Sequence, residues 1–405
     1  MTGRYEPDGS YAWWRLLASL ALGTIGGIGM WSAVVVLPAI QAEFGVDRGG
    51  ASLPYTATFI GFAVGGVLLG RLADRRGIRL PLLIGTSMLS LGFVVAGLSN
   101  SYWQFVLAQA LLIGMLGSAA TFGPLVADVS LWFVRRRGIA VAIAASGSYM
   151  AGTLWPPLLQ HATAAFGWRQ AYLGIAALCL VTMLPLALLL KRRAPGTGTR
   201  AAAAPPVATA LPLSPGALQA LLVVAGIACC IAMSMPQVHI VAYCGDLGYG
   251  PARGAEMLSA MLGFGLISRV ACGFIADRIG GVATLLISSV LQGVALFLYL
   301  LFDGLMSLYV ISALFGLFQG GIVPMYAIIV REYFAPSEAG TRLGIVLMAT
   351  LGGMALGGWM SGVIFDLTGS YMAAFLNGLG WNLINVTIVA WLLMRRGGRQ
   401  VAAAA

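Results

Sequence analysis

Charge is the scarcest commodity in this chain: Asp, Glu, Lys and Arg together make up only 9% of its 405 residues. A domain surrounded by water needs a charged surface to stay soluble and monomeric, so a soluble protein is excluded. Lysine is almost missing, Lys191 being the only one, and arginine takes its place as in proteins of GC-rich bacterial genomes. Histidine occurs twice and cysteine five times, with no CxxC or other metal-ligand spacing, so no metal site and no cofactor are expected. Cys179, Cys229, Cys230 and Cys272 fall inside apolar runs and read as packing residues, and Cys244 reads as a free thiol near a helix end. Paired carboxylates, a nucleophile with its base, or a metal cluster do not recur at membrane depth, which argues against an enzyme. The net charge of +10 comes from short basic clusters between apolar stretches, never from a long stripe, so no nucleic-acid partner is expected.

What the chain has in excess is hydrocarbon. Hydrophobic residues make up 60% of it, which makes lipid the solvent. At about 20 apolar residues per crossing plus a connection, the length accommodates about twelve spans. Apolar runs bounded by charge, Gly and Pro predict helices at 14–39, 51–70, 80–98, 103–127, 138–160 and 169–190, then at 217–242, 253–275, 281–301, 306–330, 342–365 and 371–394. The expected fold is an all-α membrane protein of twelve transmembrane helices: a six-helix bundle in 1–190, a linker at 191–216, a second bundle in 217–394 and a tail at 395–405. The linker opens on Lys191-Arg192-Arg193 and is rich in Ala, Pro, Gly and Thr, too poor in bulky apolar residues to pack.

Every basic residue except Arg48, Arg169, Arg253 and Arg269 falls in the tails, in connections or, for Arg15 and Arg342, in the first two residues of a span, on one side of this arrangement. The positive-inside rule makes that side cytoplasmic, with both termini on it. The first apolar stretch is too long for a signal-peptide core and lacks a small-residue cleavage site, so it is expected to remain as the first helix. A multi-pass protein of a bacterial inner membrane, monomeric in the lipid bilayer, is the expected setting.

The chain also repeats itself. After the second span it reads GRLADRRGIR from Gly70, and after the eighth GFIADRIGG from Gly273, 203 residues further on. Trp132-Phe133 and the basic Arg135 to Arg137 are echoed by Tyr333-Phe334 and Arg342, and Gly167-Trp168 by Gly369-Ser370. Landmarks at nearly one offset imply a duplicated six-helix unit. Glycines four apart recur on spans two and eleven (Gly61/Gly65, Gly66/Gly70, Gly353/Gly357, Gly358/Gly362), where small residues let backbones approach closely, as static packing or as faces that slide. The G-x-L-A-D-R-x-G-x-R pattern resembles the signature loop of the major facilitator superfamily, and span number, linker and repeat extend the resemblance over essentially the whole chain. The resemblance implies a major facilitator fold of two six-helix halves, with the loop as a gate that latches them on the cytoplasmic side. Gly70, Asp74, Arg75 and Arg79, and Asp277 and Arg278 in the degenerate copy, are the implied gating residues. Asp74, near helix termini, is placed to accept hydrogen bonds from backbone amides and arginines.

Arg269, in Ile267-Ser268-Arg269-Val270-Ala271, lies at span depth one turn before the second motif. It must snorkel to the surface or face a polar cavity, where a guanidinium holds a carboxylate bidentately. S-R-x3-G-x3-D-R-x-G here, together with His239-x6-Asp246-Leu247-Gly248 and Arg331-Glu332-Tyr333-Phe334, resembles the bacterial monocarboxylate transporter and oxalate/formate antiporter group. The resemblance gives Arg269 the substrate carboxylate. The oxalate exchanger of that group also uses a lysine in span eleven, whereas Leu343 to Phe365 here contains no cation. One positive charge suits a monoanion, so a monocarboxylate is expected as substrate.

Transporters of that kind also move a proton, and the resemblance makes Asp246 the proton-site candidate with His239 as its neighbour. Co-transport cancels a charge movement that otherwise costs about 2.3 kcal/mol per 100 mV. Twenty-three residues of continuous helix would hold Asp246 roughly 34 Å from Arg269, so the two do not form a salt bridge. A solvated aspartate capping span eight and an interfacial histidine are the structural alternatives for this pair. Superfamily members line their path with spans one, four, seven and ten, which singles out Phe122, Gln319 and Tyr326. A proton-driven exporter of drugs or other metabolites and a non-transporting nutrient sensor are the competing readings. The exporters' G-x3-G-P-x2-G stretch is not matched by Gly147 to Gly152, and no trace of an added signalling domain is visible.

Overall fold

Apolar runs in a medium without water must satisfy their backbone groups internally, and this chain does so as helices throughout. The structure, a computed structural model, describes residues 8–190 and 213–402. Most of the expected linker and the last three residues of the expected tail lie outside these. Among the described residues twelve helices are long and apolar enough to cross a membrane. They are Ser10–Val35, Arg48–Arg76, Arg79–Gly97, Tyr102–Trp132, Arg137–Phe166, Trp168–Leu189, Pro215–Asp246, Pro251–Ile279, Gly281–Leu301, Leu305–Tyr333, Glu338–Thr368 and Tyr371–Arg395, here called spans one to twelve. The protein is a multi-pass, all-α membrane protein.

Helices outrun the apolar runs that predicted them, because polar ends extend them beyond the hydrocarbon. The repeated motif is therefore not an extended loop. Gly70 to Arg76 belongs to span two, and the chain turns at Gly77 and Ile78, the φ of 81° at Gly77 being one that only glycine adopts without strain. Its counterpart Gly280, with φ 85°, ends span eight in the same way, and Gly281 opens span nine. Two glycines 203 residues apart thus make the same turn. The last helix continues to Ala402, through most of the stretch expected as a tail.

The chain separates into two compact units: one holds spans one to six with the first residues of span eight, and the other holds span seven, the rest of span eight and spans nine to twelve. In the first, Phe105, Trp168 and Tyr172 pack edge to face or tilted at 5.5–5.9 Å, and Arg169 at the head of span six pairs with Glu43 at 2.6 Å. A side chain on Gly61 or Gly65 would strike the carbonyls of Ala110 or Met115, so spans two and four touch backbone to backbone. Gly353 and Gly357 perform the same service between spans eleven and seven, against Ile227 and Ile231. These pairs are packing surfaces inside a unit. Gly66 and Gly70 differ, since a Cβ there would meet nothing within 4 Å.

Candidate functional site

Spans four and ten each carry paired small residues in mid-run, and each breaks there. In span ten the helix ends at Gln319 and resumes at Ile322, leaving Gly320 and Gly321 between. The break is braced by span eight: a Cβ on Gly320 would strike the Gly265 carbonyl, one on Gly321 the Cys272 side chain, and the Gly321 amide donates to Ser268 Oγ at 3.1 Å. Ser268 thus satisfies a backbone donor that the break frees inside the unit. Arg269, the next residue, stands half-buried on this braced stretch.

Gln319 is fully buried, and its Oε1 accepts from Nε2 of Gln237 on span seven at 2.9 Å. Tyr326, expected to line a cavity, instead turns its hydroxyl into a buried network, 3.3 Å from Asn385 Oδ1 and 3.5 Å from Cys229 Sγ. Asn385 Nδ2 donates to Ser289 Oγ at 2.8 Å and Asn382 Nδ2 to the Ser289 carbonyl at 3.2 Å, joining span twelve to span nine. Tyr326, Asn382 and Asn385, which sequence alone left open between cavity and packing, are here bonded to neighbouring helices.

In the first unit span four widens into π-helical turns over Ala108–Gly117, tightens over Ser118–Thr121, and breaks at Phe122 before resuming at Gly123. Span one is interrupted opposite it at Gly27. Ser118 Oγ donates to the Gly26 carbonyl at 2.9 Å, and a Cβ on Gly26 would strike the Thr121 side chain. Phe122 is half-buried, its ring 6.1 Å from that of Phe62. Gly117 precedes this tightened turn, and Gly320, again 203 residues on, opens the break in span ten. Interrupted helices at corresponding positions of two repeats are where transporters place their sites.

His239 is fully buried, not at the surface, and joins three helices. Nε2 lies 2.8 Å from the Gly358 carbonyl on span eleven and Nδ1 lies 3.2 Å from the Tyr371 hydroxyl on span twelve. A carbonyl only accepts, so Nε2 donates to Gly358, and in a neutral ring Nδ1 accepts from Tyr371. Asp246, seven residues on, is the exposed last residue of span seven, about 10 Å further along the helix axis, so the expected neighbourhood of the two does not form. Span eight is capped by Gly250, with no side chain accepting there. Tyr371 also lines a cavity of about 280 Å³ with Tyr243, Tyr299, Asp303 and Phe375. The acidic side chain in this cavity is Asp303, not Asp246.

Asp74, Arg75, Arg79, Asp277 and Arg278 are all exposed. Glu332, in the stretch that echoes the first half, accepts from the Gly281 amide at 3.0 Å and so caps span nine beside the second motif. Among the described residues no group of three or more His, Cys, Asp or Glu could hold a metal ion.

One charged cluster escaped sequence reasoning. Arg15 on span one and Asp128 on span four form a two-pronged ion pair, Nε to Oδ2 at 2.7 Å and Nη2 to Oδ1 at 2.9 Å, with side-chain exposures of 1% and 11%. The guanidinium lies 4.7 Å from the Trp132 ring centroid. Just ahead of span one, the Asp8 carboxylate accepts from the amides of Val134, Arg135 and Arg136, and these bonds hold it below its ordinary value of 3.8. The segment before span one is thereby clasped to the turn after span four. Span four was expected to end at residue 127, which left Asp128 in a loop and hid the pair.

Paired glycine-packed helices, an internal repeat and matching breaks are the build of a membrane transporter. A family model described as Major Facilitator Superfamily matches residues 20–305 and 246–404, and the chain belongs to that superfamily. Monocarboxylate transporter 13 of Bos taurus is 29% identical over 385 residues, 91% of this chain and 86% of that one. The agnestins efflux protein AgnL12 of Paecilomyces divaricatus is 26% identical over 337 residues, 82% of this chain and 76% of that one. Among solved structures, a mutant of the nucleoside transporter NupG superposes with a TM-score of 0.72 at 15% identity, over 93% of this chain and 99% of that one. A bacterial homologue of the human lysosomal transporter Spinster, inward-facing and occupied, gives 0.70 at 15% identity, over 98% and 97%. At that identity the two structures speak for the fold alone.

Proposed function

We propose that this transporter carries small organic anions, by proton-coupled symport of a monocarboxylate through alternating access, with Arg269 as the partner of the carboxylate. The observation that carries the reading is the position of Arg269: a half-buried guanidinium on the stretch of span eight that braces the break in span ten. A charge at that depth is retained for a purpose, and a planar fork of donors fits a carboxylate. The monocarboxylate transporter of Bos taurus, similar along 91% of the chain, supports the same substrate class. Gln319 at the break of span ten is the further substrate contact in this reading.

His239 is the proton site this reading favours. Tyr371 can turn its hydroxyl from donor to acceptor, so the ring can take a proton on Nδ1 without losing a bond. Asp246 serves at the mouth of the path. The turns at Gly77 and Gly280 with Asp74, Arg75, Arg79, Asp277 and Arg278 act as gates in the same scheme, with both termini in the cytoplasm of a bacterial cell and the chain monomeric in its inner membrane.

The test is uptake of labelled monocarboxylates into proteoliposomes with and without an imposed proton gradient. Uptake is stimulated by acid outside and falls at least about a hundredfold in Arg269→Ala and Arg269→Lys, because the ammonium cannot reproduce the two-pronged bond. Wild-type rates in Arg269→Ala overturn the assignment. A second reading, export, is favoured by the similarity to the agnestins efflux protein; it predicts that an inward proton gradient drives the acid out of loaded vesicles.

A further inference from the structure

Spans seven, nine and twelve meet at one end of the second unit around the cavity of about 280 Å³. Its walls are aromatic. Tyr243 stands three residues before the end of span seven, Tyr299 two before the end of span nine, and Tyr371 opens span twelve with Phe375 one turn on. Tyr243 meets Tyr371 at 5.3 Å and 76° and Phe375 at 5.7 Å and 73°, so its ring stands steeply to both, while Tyr299 stacks on Phe375 at 4.9 Å. Tyrosines at span ends commonly form a belt that faces the lipid interface. These do not, since Tyr299, Tyr371 and Phe375 are 2%, 4% and 2% exposed and line the cavity instead. The cavity also has a sign. Asp303, in the connection after span nine, brings a carboxylate, and none of the residues lining the cavity is basic. Asp303 and Phe302 are exposed, so the cavity opens at their rim.

We propose that this cavity is a binding site for a small organic cation, a methylated ammonium ion held between the aromatic walls and the Asp303 carboxylate. A full positive charge is drawn both to the negative faces of aromatic rings and to a carboxylate, and methyl groups on the nitrogen match the apolar surface of the rings. Other occupants fit less well. A hydrated metal ion needs a shell of oxygen ligands, of which the cavity offers a single carboxylate. An anion is repelled by that carboxylate, and a neutral molecule leaves it without a counter-charge. Pockets for drug-sized ligands start at about 300 Å³, so an occupant of this one has only a few heavy atoms. No residue of span eight or span ten lines the cavity, so the site is distinct from Arg269 and from the break that span eight braces. The inference therefore stands apart from the carboxylate reading and adds a ligand of opposite charge.

The experiment is equilibrium binding of labelled choline to the full chain in detergent, competed by unlabelled choline and by its neutral isostere, in which a carbon replaces the ammonium nitrogen. Wild type is expected to bind choline saturably, and unlabelled choline should displace the label at least about tenfold better than the neutral isostere. Asp303→Asn changes an exposed residue between spans and should weaken choline at least about fivefold. Tyr243→Leu, which removes a wall, should weaken it by at least as much, whereas Tyr243→Phe keeps the ring and should stay within about twofold of wild type. Where Tyr243→Leu fails to fold, Asp303→Asn and the neutral competitor decide. Absence of saturable choline binding, equal displacement by the neutral isostere, wild-type affinity in Asp303→Asn or in Tyr243→Leu, or loss of binding in Tyr243→Phe overturns the site. Each of these outcomes leaves the assignment of Arg269 untouched, because that assignment is read from uptake of acids.

Discussion

At the scale of single residues, most of the polar groups in the spans are occupied with holding helices together. Arg15 and Asp128 are the clearest case. Removing one member leaves a buried charge uncompensated, so Arg15→Met or Asp128→Asn should each cost about 3–5 kcal/mol, whereas Arg15→Met/Asp128→Leu together should recover most of it. Unfolding in detergent followed by circular dichroism, arranged as a double-mutant cycle, measures the coupling. His239 carries the same logic with a functional edge. Phenylalanine there abandons both the Gly358 carbonyl and the Tyr371 hydroxyl and should destabilise by about 1–3 kcal/mol for each orphaned group. Glutamine can keep one bond yet cannot take up a proton near neutrality. The variant His239→Gln is therefore expected to fold and to transport with its acid stimulation lost, which uptake at varied external pH reads directly.

Helices are governed by close approach and by what their broken ends bond to. Gly65→Leu and Gly357→Leu should abolish folding, because their side chains would have to occupy backbone of spans four and seven, while Gly66→Leu should be tolerated in a unit where nothing stands within 4 Å. Monodispersity of the solubilised protein separates the two outcomes. At the head of span one, the Asp8 clasp depends on a carboxylate held below its ordinary 3.8 by the amides after span four. A group whose folded value is depressed contributes fully above its ordinary value and loses that contribution as pH falls through the folded one. The clasp should thus be intact at neutral pH and open only below about pH 4. Amide exchange of residues 134–136, or Asp8→Asn at neutral pH, reports its release.

For the whole molecule the governing quantity is charge moved per cycle. A monoanion carried with one proton crosses without net charge, so uptake should respond to a pH gradient and be insensitive to an imposed potential; each uncompensated charge would instead cost about 2.3 kcal/mol per 100 mV. Valinomycin-clamped proteoliposomes at fixed pH test this, and uptake driven by potential alone would count against one-to-one symport.

The architecture was legible in the amino-acid sequence because it follows from composition and period. Too little charge for water and twelve apolar runs of membrane length leave helices as the only economical fold, and two motifs 203 residues apart declare the repeat. Arg269 was legible for the same reason, since an arginine in an apolar run is conspicuous. Interactions between runs were not. Asp128 fell in a loop until span four proved to end five residues later than predicted. Tyr326 and His239 could have faced a cavity or a neighbour, and only their bonds to residues of spans seven, eleven and twelve decided for the neighbour. Helix rotation and the location of breaks are set by which small residues let two backbones touch, a property of pairs of helices that no single run of sequence contains. Membership of the fold was thus decided locally, by the hydrophobic demand of each segment, and the chemistry of the site by tertiary contact.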